Sequence, residues 1–203
     1  EERVVMAAKW VYIAGRGHSG STVLDALLGN AEKIESIGEL VSGMDRYEEL
    51  CSCHQKFNDC VFWSQVVTQF EKECGMPWKK MVGLLKSSGH VKNFPKTLIK
   101  SRKSAWVREI RRANEHLCKS IAGGNEVVLD SSKEITRALF LIKHSPEAQI
   151  IHLVRHPRDI LASNYWRMKK GDGFKVLRHH FKSPRLFGFF LFISTINWLI
   201  GNM

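Results

Sequence analysis

Trp10-Val11-Tyr12-Ile13-Ala14-Gly15-Arg16-Gly17-His18-Ser19-Gly20-Ser21-Thr22-Val23-Leu24-Asp25-Ala26-Leu27-Leu28-Gly29-Asn30 is the stretch on which the fold turns. Its first five residues are aromatic, β-branched and apolar, the signature of a buried strand. Three glycines follow, at Gly15, Gly17 and Gly20. Then Val23, Leu24, Leu27 and Leu28 recur at helical spacing, and Gly29-Asn30 is a stop signal. A strand, a glycine loop and a helix in that order gather backbone N–H groups and a helix N-terminus around one point, which is an anion site. Gly15, Gly20 and Thr22 fall where the phosphate-loop pattern G-x-x-x-x-G-K-[ST] has its glycines and hydroxyl. The lysine of that pattern is Ser21 here, which counts against nucleoside-triphosphate hydrolysis and still suits a phosphate or sulfate ester.

Working outward, residues Ile34–Leu40 alternate weakly and predict a short second strand with Glu39 at its C-terminal end, the edge at which open α/β sheets handle ligands. Residues 45–64 are a polar insert carrying Cys51-Ser52-Cys53-His54 and Cys60. Phe62 to Phe70 repeat at helical spacing. The lysine-rich stretch Lys79–Lys103, broken by Gly83, Gly89 and Pro95, predicts surface helices and loops. Trp106 to Ile121 predict an amphipathic helix ending at Gly123-Gly124. A third strand, Val127–Leu129, runs into Asp130–Glu134, where Ser131 and Glu134 have capping-box spacing for a helix through about Lys143. A fourth strand, Gln149–Val154, leads to Arg155-His156-Pro157-Arg158-Asp159, with Pro157 suited to a first helical turn. Leu186–Ile200 is strongly apolar and predicts a core helix, with membrane contact as the secondary reading. Alternating strands and helices imply a parallel sheet covered on both faces.

Three of these segments together resemble the sulfotransferases that use 3′-phosphoadenosine 5′-phosphosulfate. Gly15–Thr22 resembles their 5′-phosphosulfate loop. Arg155-His156-Pro157-Arg158-Asp159-Ile160-Leu161-Ala162-Ser163 resembles their 3′-phosphate site, where an arginine at a strand end and a serine eight residues later grip the phosphate. Arginine presents a rigid fork to phosphate oxygens, and a serine on the next helix adds one hydroxyl. The insert Cys51-x-Cys53 … Cys60-Val61-Phe62-Trp63 is similar to a cysteine-bearing insert of microbial-type members. The resemblance implies a P-loop-like three-layer α/β fold, with a central parallel sheet of about four to five strands flanked by helices. It implies one domain over residues 1–203, lacking the C-terminal loop that closes over the nucleotide in the family, with 45–122 a mostly helical insert on the acceptor side. It also implies donor contacts from Arg16, Gly17, His18, Ser19, Gly20, Ser21, Thr22, Arg155 and Ser163, with His18 where the family often has lysine or arginine. The implied reaction is in-line transfer of a sulfonyl group to a hydroxyl of a carbohydrate, lipid or small molecule. Glu39 is the candidate base, and Lys133 the candidate stabiliser of the sulfonate or leaving phosphate. No metal is expected as cofactor.

The chain has 203 residues, 44% of them hydrophobic, and a formal charge of +11. That size supports one sizeable core and excludes a disordered chain, and the charge favours acidic ligands. No nucleic-acid motif is present, so nucleic acid is not an expected partner. Five cysteines, an odd number, do not indicate a disulfide framework. Cys51, Cys53, Cys60 and His54 lack common zinc spacing, and disulfide or free thiols are the preferred reading over zinc. No signal peptide and no span of about twenty apolar residues is evident, so the expected compartment is cytoplasmic. The start at Glu1 leaves a Golgi-lumenal protein that has lost an amino-terminal anchor as the alternative. A P-loop phosphotransferase or nucleotide hydrolase, with Asp130 as magnesium carboxylate, and a non-catalytic anion-binding module are the competing functions.

Overall fold

The computed structural model describes residues 8–17, 19–43, 51, 53–160 and 162–163. His18, the apolar stretch Leu186–Ile200 and the segment 164–203 as a whole lie outside the described residues.

The opening strand signal gives β1 (Lys9–Gly15), followed by α1 (Ser21–Gly29). Next come β2 (Ile34–Ser36), α2 (Leu40–Gly43), α3 (Val61–Cys74), α4 (Trp78–Gly89), α5 (Phe94–Ile99), α6 (Ala105–Ala122), β3 (Val127–Lys133), α7 (Ile135–His144) and β4 (Gln149–Leu153). Residues 157–160 and 162–163 are helical, and that helix opens on Pro157 as expected. The four strands form one parallel sheet in the order β2-β3-β1-β4, flanked by helices, so the α/β, P-loop-like fold expected from the sequence is the one found. β1 pairs with β3 from Lys9↔Val127 to Ala14↔Lys133, with a bulge between Tyr12 and Ala14. β2 pairs with β3 on its other side, Ile34↔Val127 to Ser36↔Leu129.

The chain divides into two compact units. The first comprises residues 1–14 and 22–151 and contains the main core: Trp10 and Tyr12 of β1, Phe70 of α3, Met81 and Leu85 of α4, and Leu117 of α6 are all buried. The second comprises residues 15–21 and 152–203.

Three local expectations are corrected. Lys79–Lys103 is not only surface: α4 runs straight through Gly83 and buries Met81, Val82 and Leu85, because the lysines occupy only its outer face. Pro95 opens α5 rather than breaking a helix, since a first-turn proline gives up no helical hydrogen bond. The capping box at Ser131 does not form. β3 continues through Lys133, where the Ser131 N–H donates to the Gly38 carbonyl (2.8 Å), and Glu134 itself is the N-cap of α7 without a side-chain cap bond. The Glu134 carboxylate instead accepts from the Tyr12 hydroxyl (3.0 Å). The end of α6 is as expected, with Gly123 in the left-handed region (φ 54°) closing it.

Candidate active site

In the second unit the glycine loop is built by close approach. A Cβ on Gly15 would stand 2.7 Å from the Leu153 carbonyl oxygen and 3.3 Å from the Ser19 hydroxyl, so only glycine fits where the loop leaves β1 beside the end of β4. The Ser19 N–H donates to the Arg16 carbonyl (3.2 Å), closing a turn, and Gly20 takes φ 98° ahead of α1. Arg16 and Gly17 are exposed; Ser19 and Ser21 are buried; Thr22, the first residue of the first unit after the loop, is exposed. The Ser19 hydroxyl is buried and has no hydrogen-bond partner among the described residues. A buried hydroxyl inside a glycine loop that lacks a protein acceptor fits an anionic ligand there.

The same unit carries Arg155, two residues past Leu153, and half-buried Ser163. Arg155 pairs with Asp159 one helical turn on (3.9 Å), and the His156 Nδ1 accepts from the Arg158 N–H (3.3 Å). Asp159 and the Arg158 backbone N–H thus find their partners within the start of this helix. The glycine loop and Arg155–Ser163, separated by more than 130 positions in the sequence, belong to one compact unit.

In the first unit the ends of β2 and β3 hold the candidate base and lysine. β2 stops at Ser36, earlier than expected, and Glu39 stands in the bend before α2. The Lys133 ammonium donates to the Glu39 carboxylate in an ion pair across the two strand ends, with Lys133 mostly buried and Glu39 half exposed. Lys133 adopts φ 75°, a left-handed conformation that costs a non-glycine residue of order 1–3 kcal/mol and is found where function constrains the chain. The bulge in the β1–β3 ladder lies just ahead of its pairing with Ala14, where the local twist increases.

Asp25 joins this group and was missed in the sequence reading. It accepts from the Ser36 hydroxyl (3.0 Å). Burial pushes its carboxyl up, opposed by hydrogen bonds from Ser36 and Ser131 and by the charge of Lys133, and reinforced by Glu39. The available signal was its position in α1 directly after the loop, on the flank opposite the exposed Val23 and Leu27.

Asp130 is not available to a metal. It is fully buried and faces the equally buried Arg137 of α7 (3.7 Å), and its Oδ1 accepts from the Ser132 hydroxyl (2.5 Å) and N–H (3.0 Å). Arg137 donates to Ser88 of α4 and Asn114 of α6 (3.2 Å each) and lies over the rings of Trp10 and Tyr12. Burial pushes the Asp130 carboxyl up while Arg137 pulls it down. This is a structural tie between β3 and three helices, and it removes the magnesium carboxylate that the nucleotide-hydrolase alternative needed.

In the cysteine insert the Cys53 and Cys60 sulfurs are 3.5 Å apart and the Cys60 and Cys51 sulfurs 3.6 Å apart, a convergence that the spacing alone did not foretell. No helix among the described residues is long and apolar enough to cross a membrane.

No curated protein and no solved structure matches the chain. A family model described as "Sulfotransferase family" matches residues 11–183, which spans the glycine loop, the Glu39–Lys133 pair and Arg155–Ser163. The chain therefore belongs to the sulfotransferase family.

Proposed function

We propose that the protein transfers the sulfonyl group of 3′-phosphoadenosine 5′-phosphosulfate to a hydroxyl acceptor, a carbohydrate, lipid or small molecule. The observation that carries this reading is the glycine loop with Ser21 at the lysine position and an unpartnered buried hydroxyl at Ser19. Such a loop offers donors to a 5′-phosphosulfate without the lysine that a triphosphate demands. Arg155 and Ser163 are the proposed grip on the 3′-phosphate. Glu39 takes the proton of the acceptor hydroxyl as the acceptor oxygen bonds to sulfur. The bond from sulfur to the 5′-phosphate oxygen breaks in the same in-line step, and the electron pair leaves with the bisphosphate. Lys133 neutralises charge that builds on the sulfonate oxygens and the leaving phosphate. Its pairing with Glu39 supports this pair of roles, because it sets a proton acceptor and a cation side by side at the same strand ends.

Calorimetry with adenosine 3′,5′-bisphosphate and, separately, ATP with magnesium tests the reading. Binding of the bisphosphate is expected, weakened about ten- to a hundredfold in Arg155→Ala, the worth of a hydrogen bond to a charged group. Preference for ATP would make the protein a nucleotide phosphotransferase or hydrolase, and binding of neither would make it an anion-binding module. A transfer assay with labelled donor against alcohols, phenols and glycans then identifies the acceptor.

A further inference from the structure

We infer that Cys51, Cys53 and Cys60 form a thiolate site for a single zinc-type cation, which pins the insert to the start of α3. The three sulfurs all lie within 4.8 Å of one another. Two of the separations, 3.5 and 3.6 Å, are near the roughly 3.8 Å between sulfurs that share a tetrahedral ion at about 2.3 Å. A disulfide would join two sulfurs and leave the third as a bystander. Here Cys60 is shared about equally between Cys51 and Cys53.

The backbone around the sulfurs is shaped to bring them together. The His54 N–H donates to the Cys51 carbonyl and the Cys51 N–H to the Gln55 carbonyl (2.8 Å each), a tight turn in which His54 takes the left-handed φ of 63°. That turn folds Cys53 back beside Cys51. A 3-10 turn over Phe57–Asp59 then delivers Cys60 as the N-cap of α3, where no side-chain oxygen caps the helix. Cys60 thus stands at the positive end of α3, where the helix dipole suits an anionic ligand atom. The platform beneath is firm: Phe57 stacks on Trp63 with centroids 4.9 Å apart, and Trp63 packs on Trp78 at 6.4 Å. Cys60 is buried, Cys51 half-buried and Cys53 exposed, which gives a cation a way in from solvent. On ligation each thiol gives its proton to solvent, and the fourth position is filled by water or by a donor outside the three sulfurs. The site is separate in sequence and chemistry from the glycine loop and from the Glu39–Lys133 pair, so it stands or falls independently of the proposed reaction.

Elemental analysis of the protein purified without chelator tests the inference. About one zinc per chain is expected, the occupancy of a single site. Cys53→Ser, which alters an exposed residue and leaves the core intact, is expected to reduce it to a small fraction. Cobalt substitution of the wild type is expected to give thiolate-to-metal absorption, and chelation should change Trp63 fluorescence reversibly, with zinc restoring it. Zinc well below stoichiometric in wild type expressed with added zinc, or unchanged in Cys53→Ser, would overturn the assignment. So would intact mass after alkylation showing a disulfide between any two of the three cysteines.

Discussion

In the proposed reaction Glu39 and Lys133 carry the chemistry, and Glu39 is separable from structure by a small change. Glu39→Gln keeps the shape of the bend and loses the base. The expected result is a fall in kcat of about 10²- to 10⁴-fold with bisphosphate affinity preserved, read by transfer assay and calorimetry on the same sample. Unchanged turnover would remove Glu39 from the mechanism. Gly15 is the matching residue in the loop. Gly15→Ala drives a methyl to 2.7 Å from the Leu153 carbonyl, and backbone cannot swing aside as a flexible side chain would. A loss of about 1–3 kcal/mol in stability is expected by denaturant titration, together with weaker nucleotide binding. Both residues were legible in the sequence, Gly15 from its place between a strand and a helix and Glu39 from its place near a strand end. Asp25 was not, because an acidic residue in an amphipathic helix looks like any solvated side chain until β2 is placed beside it. The Lys133 backbone was equally hidden, since nothing in a Ser-Ser-Lys-Glu run announces a left-handed residue.

Among the elements, β3 is the one whose reach was underestimated. Its apolar run ends at Leu129, and the polar residues that follow read as a loop and a helix cap. The strand continues because their partners are internal: Asp130 with Arg137, Ser132 with Asp130 and the Val41 N–H, Ser131 with the Gly38 carbonyl. A polar strand segment is stable when its groups are paired across the fold, and such long-range pairing leaves no periodic trace. Arg137→Met breaks this network and leaves the Asp130 carboxyl buried alone. The expected cost is about 3–5 kcal/mol, toward the lower end because the buried carboxyl can take up a proton. Adding Asp130→Asn is expected to recover part of the loss, which a thermal-melt double-mutant cycle measures. A loss in the double variant equal to the sum of the two single losses would show that the two side chains are not coupled. The strands, α3, α6 and the Pro157 helix were readable from apolar period and stop signals. α4 was misjudged because it opens a long lysine-rich run whose charge hides the apolar face of Trp78, Met81, Val82 and Leu85.

For the molecule as a whole, burial raises the carboxyls of Asp25, Asp130 and Glu134 together. A carboxyl raised on folding binds its proton more tightly in the folded chain. Its contribution is full below the ordinary carboxylate value near pH 4 and is lost as pH rises through the folded value. His144, whose imidazole burial pushes down, works with the opposite sign just below its ordinary value. Glu134→Gln keeps the hydrogen bond to Tyr12 and removes one titration. Urea midpoints measured from mildly acidic to neutral pH are expected to fall less in this variant than in the wild type, with His144 common to both. Parallel profiles would exclude Glu134 as a contributor. The strand order has a consequence during synthesis. β3 lies between β1 and β2, yet it begins at Val127, with ninety residues between it and the end of β2 at Ser36. At ordinary translation rates, on the order of ten seconds pass between the emergence of the outer pair and the arrival of the strand that joins them. Meanwhile the helices of 57–122 close on local contacts, while Tyr12 and Ile13 wait on an open edge. Nascent chains that stall before Val127 are therefore the form of this protein most in need of a chaperone.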